Sequence, residues 1–415
     1  MKILSFSSLY PNALMPSHGI FVENRLRHLV ADMGVQLRVV APVPWFPFSH
    51  EKFGKYGTFA GVPRIEMRHG LEVSHPRYPL LPKLGMSLAP LGLFLSGKGE
   101  LARQIKGGYD FDLIDAHYFY PDGVAAIMLG RHFNKPVSIT ARGTDINYIP
   151  RYRVPRRQIL WAADRAQGLI AVCQALADRM TELGMDAGKI SVIRNGVDLD
   201  QFQPDRAAAA AKATSRSSGR ALELVSVGHL IPRKGHDFVI RALARLPGAK
   251  LTIAGDGPMR PALLRLVQEI GLADRVRFLG SVSQDRMPEV YGAADALVLA
   301  SDREGWPNVL LESMACGVPV VAAAVWGIPE VVREPAAGVL FKERNADAIA
   351  EAVGRLMASP PCWEQTRAYA EGFSWTASSQ AQADLFQRIL GHADSNSSAC
   401  GAERPAAEEH HKLSA

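Results

Sequence analysis

The feature that most constrains this chain is a rhythm that runs through it twice. Short apolar runs alternate with polar loops and helix-like stretches. In the first series Lys2–Ser7, Gln36–Ala41, Leu113–His117, Val137–Thr140, Gly168–Cys173 and Ile190–Ile193 read as strands, and Phe21–Met33 has the spacing of an amphipathic helix that stops near Gly34. Runs that are nearly continuously apolar suit strands buried on both faces, and helical returns between them suit a parallel sheet. A second series starts at Leu222, with Leu222–Val227, Lys250–Ala254, Val276–Leu279, Ala296–Ala300, Val318–Ala323 and Gly338–Phe341. Between the two lies Asp205–Arg220, rich in Ala, Ser and Arg and without an apolar period, which reads as a solvated helix or surface loop near a domain boundary. At 415 residues the chain suits two domains and a tail. The expected fold is therefore α/β, with one doubly wound unit over 1–198, a second over 199–371, and a polar, disordered tail over 394–415.

Composition narrows the function classes. A hydrophobic content of 47% and a charged content of 21% are those of a soluble globular protein. The longest apolar stretch, Leu84–Gly97, is too short to span a bilayer and is broken by Gly, Ser and Pro. Met1–Phe6 runs straight into the first strand, unlike a signal peptide, so the plain reading is cytoplasmic. Cys173, Cys316, Cys362 and Cys400 form no CxxC pair and are expected to be buried, reduced thiols. No His pattern has metal-ligand spacing, so no metal is expected. Charge is uneven: 24 Lys and Arg against 16 Asp and Glu through Asp198, then 23 against 25 after it. The basic first half fits an anionic partner (phospholipid, a phosphate-bearing acceptor or nucleic acid) or, equally, a solvated basic face.

The densest chemistry lies between Ala296 and Val331. A buried strand ends at Ala300, and Ser301–Trp306 forms the loop outside its carboxyl end, where open α/β sheets bind ligands. Pro307 suits the first turn of a helix carrying Asn308, Val309 and Glu312 and ending at Gly317. Free N–H groups at that helix start make a phosphate site, and Glu312, one turn further and on the face of Asn308, suits a ribose diol. Either Glu304 or Glu312 alone is more readily a solvated surface residue. Glu304, Gly305, Pro307, Asn308, Glu312 and Gly317 together reverse that judgement.

Glu304 to Glu312 has an E-x7-E form inside a segment that resembles the donor-binding signature of glycosyltransferase family 4, the retaining group 1 glycosyltransferases of GT-B architecture. The resemblance covers most of the chain. It extends through Val192–Asp198, Ser226–Gly228 with Lys234–Asp237, Ile253–Pro258 and Val276–Gly280. It implies two Rossmann-like domains facing a cleft, with a C-terminal helix, 372–391, returning to the first domain. It also implies transfer of a hexose-type sugar from a nucleotide-sugar donor to a glycan or lipid-linked acceptor, with retention, in cell-surface or exopolysaccharide biosynthesis. No cofactor is implied beyond the donor itself. Arg233 and Lys234 match cations that grip the donor diphosphate, although His229 stands where many members carry Arg. Gly19, within Pro16–Glu23, matches a glycine loop that lets backbone N–H groups approach phosphate. Gly305, Asn308, Val309 and Glu312 match the rest of the donor site. Glu304 and His117 match catalytic positions, and Arg142 and Asp145 line the cleft, where Asp145 either contacts an acceptor hydroxyl or holds His117.

Other patterns carry less. Gly255-Asp256-Gly257 lacks the third glycine of a dinucleotide fingerprint, and there is no P-loop. Asp110-Phe111-Asp112 has the DxD form of metal-dependent glycosyltransferases but precedes a strand, so chance explains it. Arg142, Arg151, Arg153, Arg156 and Arg157, interleaved with Tyr148, Tyr152 and Trp161, fit an anionic membrane surface or a lipid diphosphate better than nucleic acid in this context. Leu80–Phe94 suits an interfacial or acceptor-binding element, or a buried packing segment. Together these features suggest peripheral association with the inner face of a membrane. Two rivals remain: a sugar-nucleotide epimerase of the same fold, and a non-catalytic partner that retains it.

Overall fold

A computed structural model describes residues 1–50, 52, 54–79, 85–207, 209 and 220–400. The first domain is an eight-stranded sheet. Its strands are β1 (Lys2–Phe6), β2 (Gln36–Val40), β4 (Ile65–Arg68), β5 (Leu71–Ser74), β7 (Leu113–His117), β8 (Val137–Ala141), β9 (Gly168–Ala171) and β10 (Ile190–Val192), in the order β10-β9-β8-β7-β1-β2-β5-β4. Every pairing is parallel except β4 with β5. Strands β7, β8 and β9 are buried at every position, as their continuous apolar runs require. The β4–β5 hairpin was not anticipated. Alternate residues of β4 are exposed, so it is an edge strand whose weak pattern resembles a loop. A short pair, β3 (Val43–Pro44) with β6 (Arg77–Tyr78), lies outside the main sheet.

The second domain is an all-parallel sheet in the order β13-β12-β11-β14-β15-β16. Its strands are β11 (Glu223–Val227), β12 (Lys250–Ala254), β13 (Val276–Gly280), β14 (Ala296–Leu299), β15 (Val320–Ala323) and β16 (Gly338–Phe341). The order reverses between β11 and β14. Loops leaving those two strands therefore diverge to opposite faces and leave a crevice at their carboxyl ends. Lys234 follows one strand and Glu304 the other, which is how the topology brings them together.

After the helix Trp363–Glu371, a long helix, Trp375–Cys400, crosses back to the first domain. Its Leu385, Phe386 and Ile389 pack into one core with Val22, Leu26 and Leu29 of the helix Ile20–Met33. The start of the expected disordered tail is thus corrected, because Asp394 continues this helix to Cys400. Residues 401–415 lie outside the described residues, as do 80–84 of the Leu80–Phe94 segment and most of Asp205–Arg220. The rest of the apolar segment belongs to a 22-residue helix, Gly85–Lys106. Among the described residues, no helix is long and apolar enough to cross a membrane. Cys173 and Cys316 are buried thiols, whereas Cys362 is exposed, against expectation.

The domains touch through specific polar contacts. Glu330 of the second domain accepts the backbone N–H groups of Gln174 (2.9 Å) and Ala175 (3.0 Å) at the start of helix Gln174–Glu182, and pairs with Arg194 at 2.7 Å. A carboxylate at a helix N-terminus satisfies orphan donors and meets the positive end of the dipole. Gly143 and Gly305 abut across the gap. A Cβ on Gly305 would lie 2.2 Å from the Arg142 carbonyl oxygen.

Candidate active site

A cleft of about 840 Å³ separates the domains. Gly19, Arg142, Arg233, Lys234, Glu304, Gly305, Asn308, Val309 and Glu312 all line it, whereas His117 and Asp145 do not.

On the second domain's side, Glu304 is the centre of a charged cluster. Its Oε1 accepts from Lys234 Nζ at 2.5 Å and from Ser301 Oγ at 2.7 Å, while Oε2 lies 3.3 Å from Arg233. Burial on its own would raise this carboxyl, but Lys234, Arg233 and the Ser301 hydroxyl outweigh it and hold it below the usual range. The expected diphosphate-gripping cations and the expected reaction-centre carboxylate therefore share one cluster with a surplus of one positive charge. Gly235 makes that loop possible. It sits at φ 66, and a Cβ would meet the Ala300 carbonyl oxygen at 2.3 Å. His229 also lines the cleft but makes no hydrogen bond to Glu304.

Glu312 occupies a different environment. It accepts from the Tyr291 hydroxyl at 2.7 Å and from Gln284 Nε2 at 3.2 Å, and no cation pairs with it among the described residues. Burial dominates and raises its pKa. A carboxylate offers about four acceptor positions, so about two are left for a ligand in the cleft that Glu312 lines. The helix Asn308–Ala315 begins one residue later than expected: Pro307 is its N-cap rather than part of its first turn. One consequence corrects the phosphate reading. The Asn308 N–H donates to the Trp306 carbonyl at 3.1 Å, whereas the Val309 N–H has no protein acceptor among the described residues. The Asn308 side chain instead accepts from Asn195 at 3.1 Å.

On the first domain's side, Gly19 has φ 71 and caps the helix Ile20–Met33, and a Cβ there would meet the Leu9 carbonyl oxygen at 2.3 Å. Tyr118, a bulky residue held at φ 81, also lines the cleft. His117 is fully buried behind this wall. Its Nδ1 accepts from Arg142 at 2.7 Å, so the proton sits on Nε2, which lies 3.1 Å from Asp115. Burial lowers His117 to about 4, with Asp115 opposing and Arg142 adding to the shift. Asp145 neither holds His117 nor faces the cleft. It accepts the backbone N–H groups of Phe119 (2.7 Å), Gly143 (2.7 Å) and Arg142 (3.1 Å), and so ties two loops together. Arg142, lowered to about 9 by burial and the neighbouring Arg25, is the side chain of this group that reaches the cleft.

Behind Arg142 runs a buried polar network that no local pattern announces. Asn195 accepts from both Arg142 and Arg25 at 3.2 Å. Arg25 donates to Gln382 at 2.6 Å, and Gln382 donates to Asp115 at 3.0 Å. Tyr291 and Gln284 are likewise announced by no local pattern, since each lies on a separate element and meets Glu312 only in space, whereas Ser301 lies three residues before Glu304 in the same loop. Asn195 alone had a signal, its place in the passage Val192–Asp198. Asp110 pairs with Lys135, and Asp112 accepts from the Lys2 backbone, at the sheet's amino edge and away from the cleft. Among the described residues, no cluster of three or more His, Cys, Asp or Glu is placed to hold a metal.

Residues 19–201 match the family described as Glycosyltransferase Family 4, and residues 209–373 match Glycosyl transferases group 1. D-inositol 3-phosphate glycosyltransferase 2 of Catenulispora acidiphila is 30% identical over 395 residues, 88% of each chain. The chain spans about half the length of the mycobacterial D-inositol 3-phosphate glycosyltransferases it also matches, 54% for that of Mycobacteroides abscessus at 34% identity over 57% of this chain. Among solved structures, sucrose-phosphate synthase from Thermosynechococcus elongatus superposes with a TM-score of 0.77 at 20% identity, over 94% of this chain and all of the other. Anabaena HepE in complex with UDP-glucose gives 0.69 at 21%, over the same shares. With both domains matched in order and the two sheets facing one cleft, this chain belongs to glycosyltransferase family 4, the group 1 glycosyltransferases of GT-B fold.

Proposed function

We propose that the protein moves a hexose-type sugar from a nucleotide-sugar donor to a glycan or lipid-linked acceptor, without a metal and with retention of configuration, in the assembly of a cell-surface or extracellular polysaccharide. The observation that carries this reading is the pairing, within one cleft, of the Lys234–Arg233–Glu304 cluster with a separate carboxylate, Glu312, left free of cations. The ribose diol donates to the open positions of Glu312. The diphosphate lies over the Val309 N–H and draws Lys234 and Arg233 toward it. As the bond from the anomeric carbon to the diphosphate oxygen breaks, these fixed donors stabilise the growing negative charge. The acceptor hydroxyl forms the new bond on the same face, and its proton passes to the departing diphosphate oxygen. Glu304, held by three donors, is a weak nucleophile and better suited to positioning the donor sugar and its cations. His117 acts through Arg142. The phosphate named in the relatives' acceptor, together with the basic first half, favours an anionic acceptor here.

A melting-temperature panel with UDP-, GDP- and ADP-sugars tests this directly. One donor at about a hundred times its Kd stabilises the protein by about 2.7 kcal/mol. Lys234→Ala should weaken that donor about 10- to 100-fold, the range for losing a charge-assisted hydrogen bond. If no donor stabilises the wild type, the reading fails. Conversion of the donor without any acceptor would point to an epimerase.

A further inference from the structure

The two domains share one architecture but not one surface. Among the described residues fourteen large hydrophobic side chains are exposed, and thirteen of them precede residue 155, Leu264 being the exception. Six of the thirteen lie on two adjoining segments: Met86, Leu88, Leu91 and Leu95 on the helix Gly85–Lys106, and Tyr152 and Val154 at the start of the helix Arg153–Arg165. Leu88, Leu91 and Leu95 fall three and four apart and so form one outward stripe, while Leu93 and Leu101 of the same helix sit in the core. A surface helix of a soluble domain ordinarily carries polar residues on its outer face, whereas the first half of this one, through Leu95, is apolar on both and only its second half exposes Lys98 and Arg103.

Beside the stripe is a basic cluster of Arg151, Arg153, Arg156 and Arg157, all exposed. Arg151 stacks on Tyr148, and no carboxylate lies within ion-pair distance of Arg153, Arg156 or Arg157 among the described residues. The first acid of their helix, Asp164, is held by Arg165 at its far end. The two segments form one surface, because Gln158 donates to the Ser87 carbonyl at 3.3 Å and accepts from the Tyr120 hydroxyl at 2.9 Å. These two helices and the helix Val124–Phe133 line a cavity of about 560 Å³, apolar at Phe94, Val124, Met128 and Trp161 and polar at Arg131 and His132, the mixed lining that an acyl chain under an anionic headgroup fits. This surface backs directly onto the cleft: Tyr120 bonds to Met86 on one side, while Tyr118 and Pro121 of the same loop line the cleft on the other.

We propose that the first domain docks on an anionic phospholipid bilayer through this surface, with Leu88, Leu91 and Leu95 in the interface and Arg151, Arg153, Arg156 and Arg157 on the headgroups. The charge argues for lipid over a second copy of the chain. A twofold contact would bring two sets of unpaired arginines face to face, whereas anionic headgroups neutralise them. Docking holds the acceptor side of the cleft against the membrane, where a lipid-linked acceptor resides. That purpose rests on the glycosyl-transfer reading, but the docking itself does not.

The test is co-sedimentation of the full-length protein with vesicles, either phosphatidylcholine alone or an equal mixture with phosphatidylglycerol. The protein should partition onto the mixed vesicles, not onto phosphatidylcholine alone, and high salt should release it. Arg153→Gln with Arg156→Gln and Arg157→Gln should weaken partition about a hundredfold, from about a fivefold effect per basic residue at a charged surface. Leu91→Ser with Leu95→Ser should cost at least about tenfold. Both variants should keep the wild-type melting temperature and any stabilisation by nucleotide-sugar. Wild-type binding that is absent, or unchanged in both variants, overturns the proposal. So does a wild-type dimer, measured by light scattering, that the leucine variant dissociates. Vesicle binding without stabilisation by any donor would remove the glycosyl-transfer reading and leave the docking surface standing. Donor stabilisation without vesicle binding would do the reverse.

Discussion

Glu304 and Glu312 stand on either side of one helix start, yet their carboxyl groups shift in opposite directions. Glu304 is held ionised by Lys234 and Arg233, while Glu312 meets only neutral donors and burial prevails. His117 is a third case. A neutral ring is built into the fold because Arg142 donates to Nδ1 and burial penalises a second proton. Its folded pKa of about 4 lies below the ordinary value of 6.5. Between those values the unfolded chain takes up a proton that the folded chain refuses. The associated stability is therefore complete above about pH 6.5 and is lost as the pH falls toward 4. Asp122, raised by burial to about 7, acts in the opposite direction: its contribution is present at low pH and is lost as the pH rises toward 7. His117→Gln, which cannot titrate, should shrink the stability lost between pH 7 and pH 5 by about 2 kcal/mol relative to wild type. Urea midpoints at the two pH values measure it, and an unchanged difference would refute the buried, neutral assignment.

At the scale of elements, the site is made by what strands and helices do at their ends. Gly235 turns the chain in the left-handed region directly after Lys234, packed against the end of β14. Gly235→Ala imposes both backbone strain and a clash, and should cost about 1–3 kcal/mol while displacing Lys234 from Glu304. Calorimetry measures the first effect and donor titration the second. A variant of wild-type stability would mean the loop has another conformation available. These ends were partly legible. The strand boundaries at His117, Val227 and Ala254, and the glycines after two of them, are local patterns that survive in the fold. The helix after Pro307 starts one residue later than its sequence pattern implies. Proline fits either N1 or the cap, and only the chain path, with Asn308 N–H turned to Trp306, distinguishes them.

For the whole molecule, closure of the two domains is itself a set of bonds. Glu330 caps a helix of the opposite domain and pairs with Arg194, and Asn195 bridges Arg142 to Asn308. Glu330→Ala removes the cap and the ion pair at once. It should shift the population toward an open arrangement by about tenfold, the range for losing one charge-assisted hydrogen bond. Small-angle scattering should then report a larger radius of gyration, and KM should rise more than kcat falls. An unchanged radius would place the closing energy elsewhere. By itself the sequence determined the doubly wound architecture of both halves, the strand ends that open on the cleft, and most of the cleft-lining residues. Hydrophobic period, glycine placement and motif spacing are properties of neighbours along the chain. Only the tertiary structure decided that His117 and Asp145 lie behind the wall, that Glu304 and Lys234 neutralise each other, and that Tyr291 and Gln284 hold Glu312. Whether a polar side chain meets solvent, substrate or a partner depends on which elements the docked domains press together, and no local spacing encodes that.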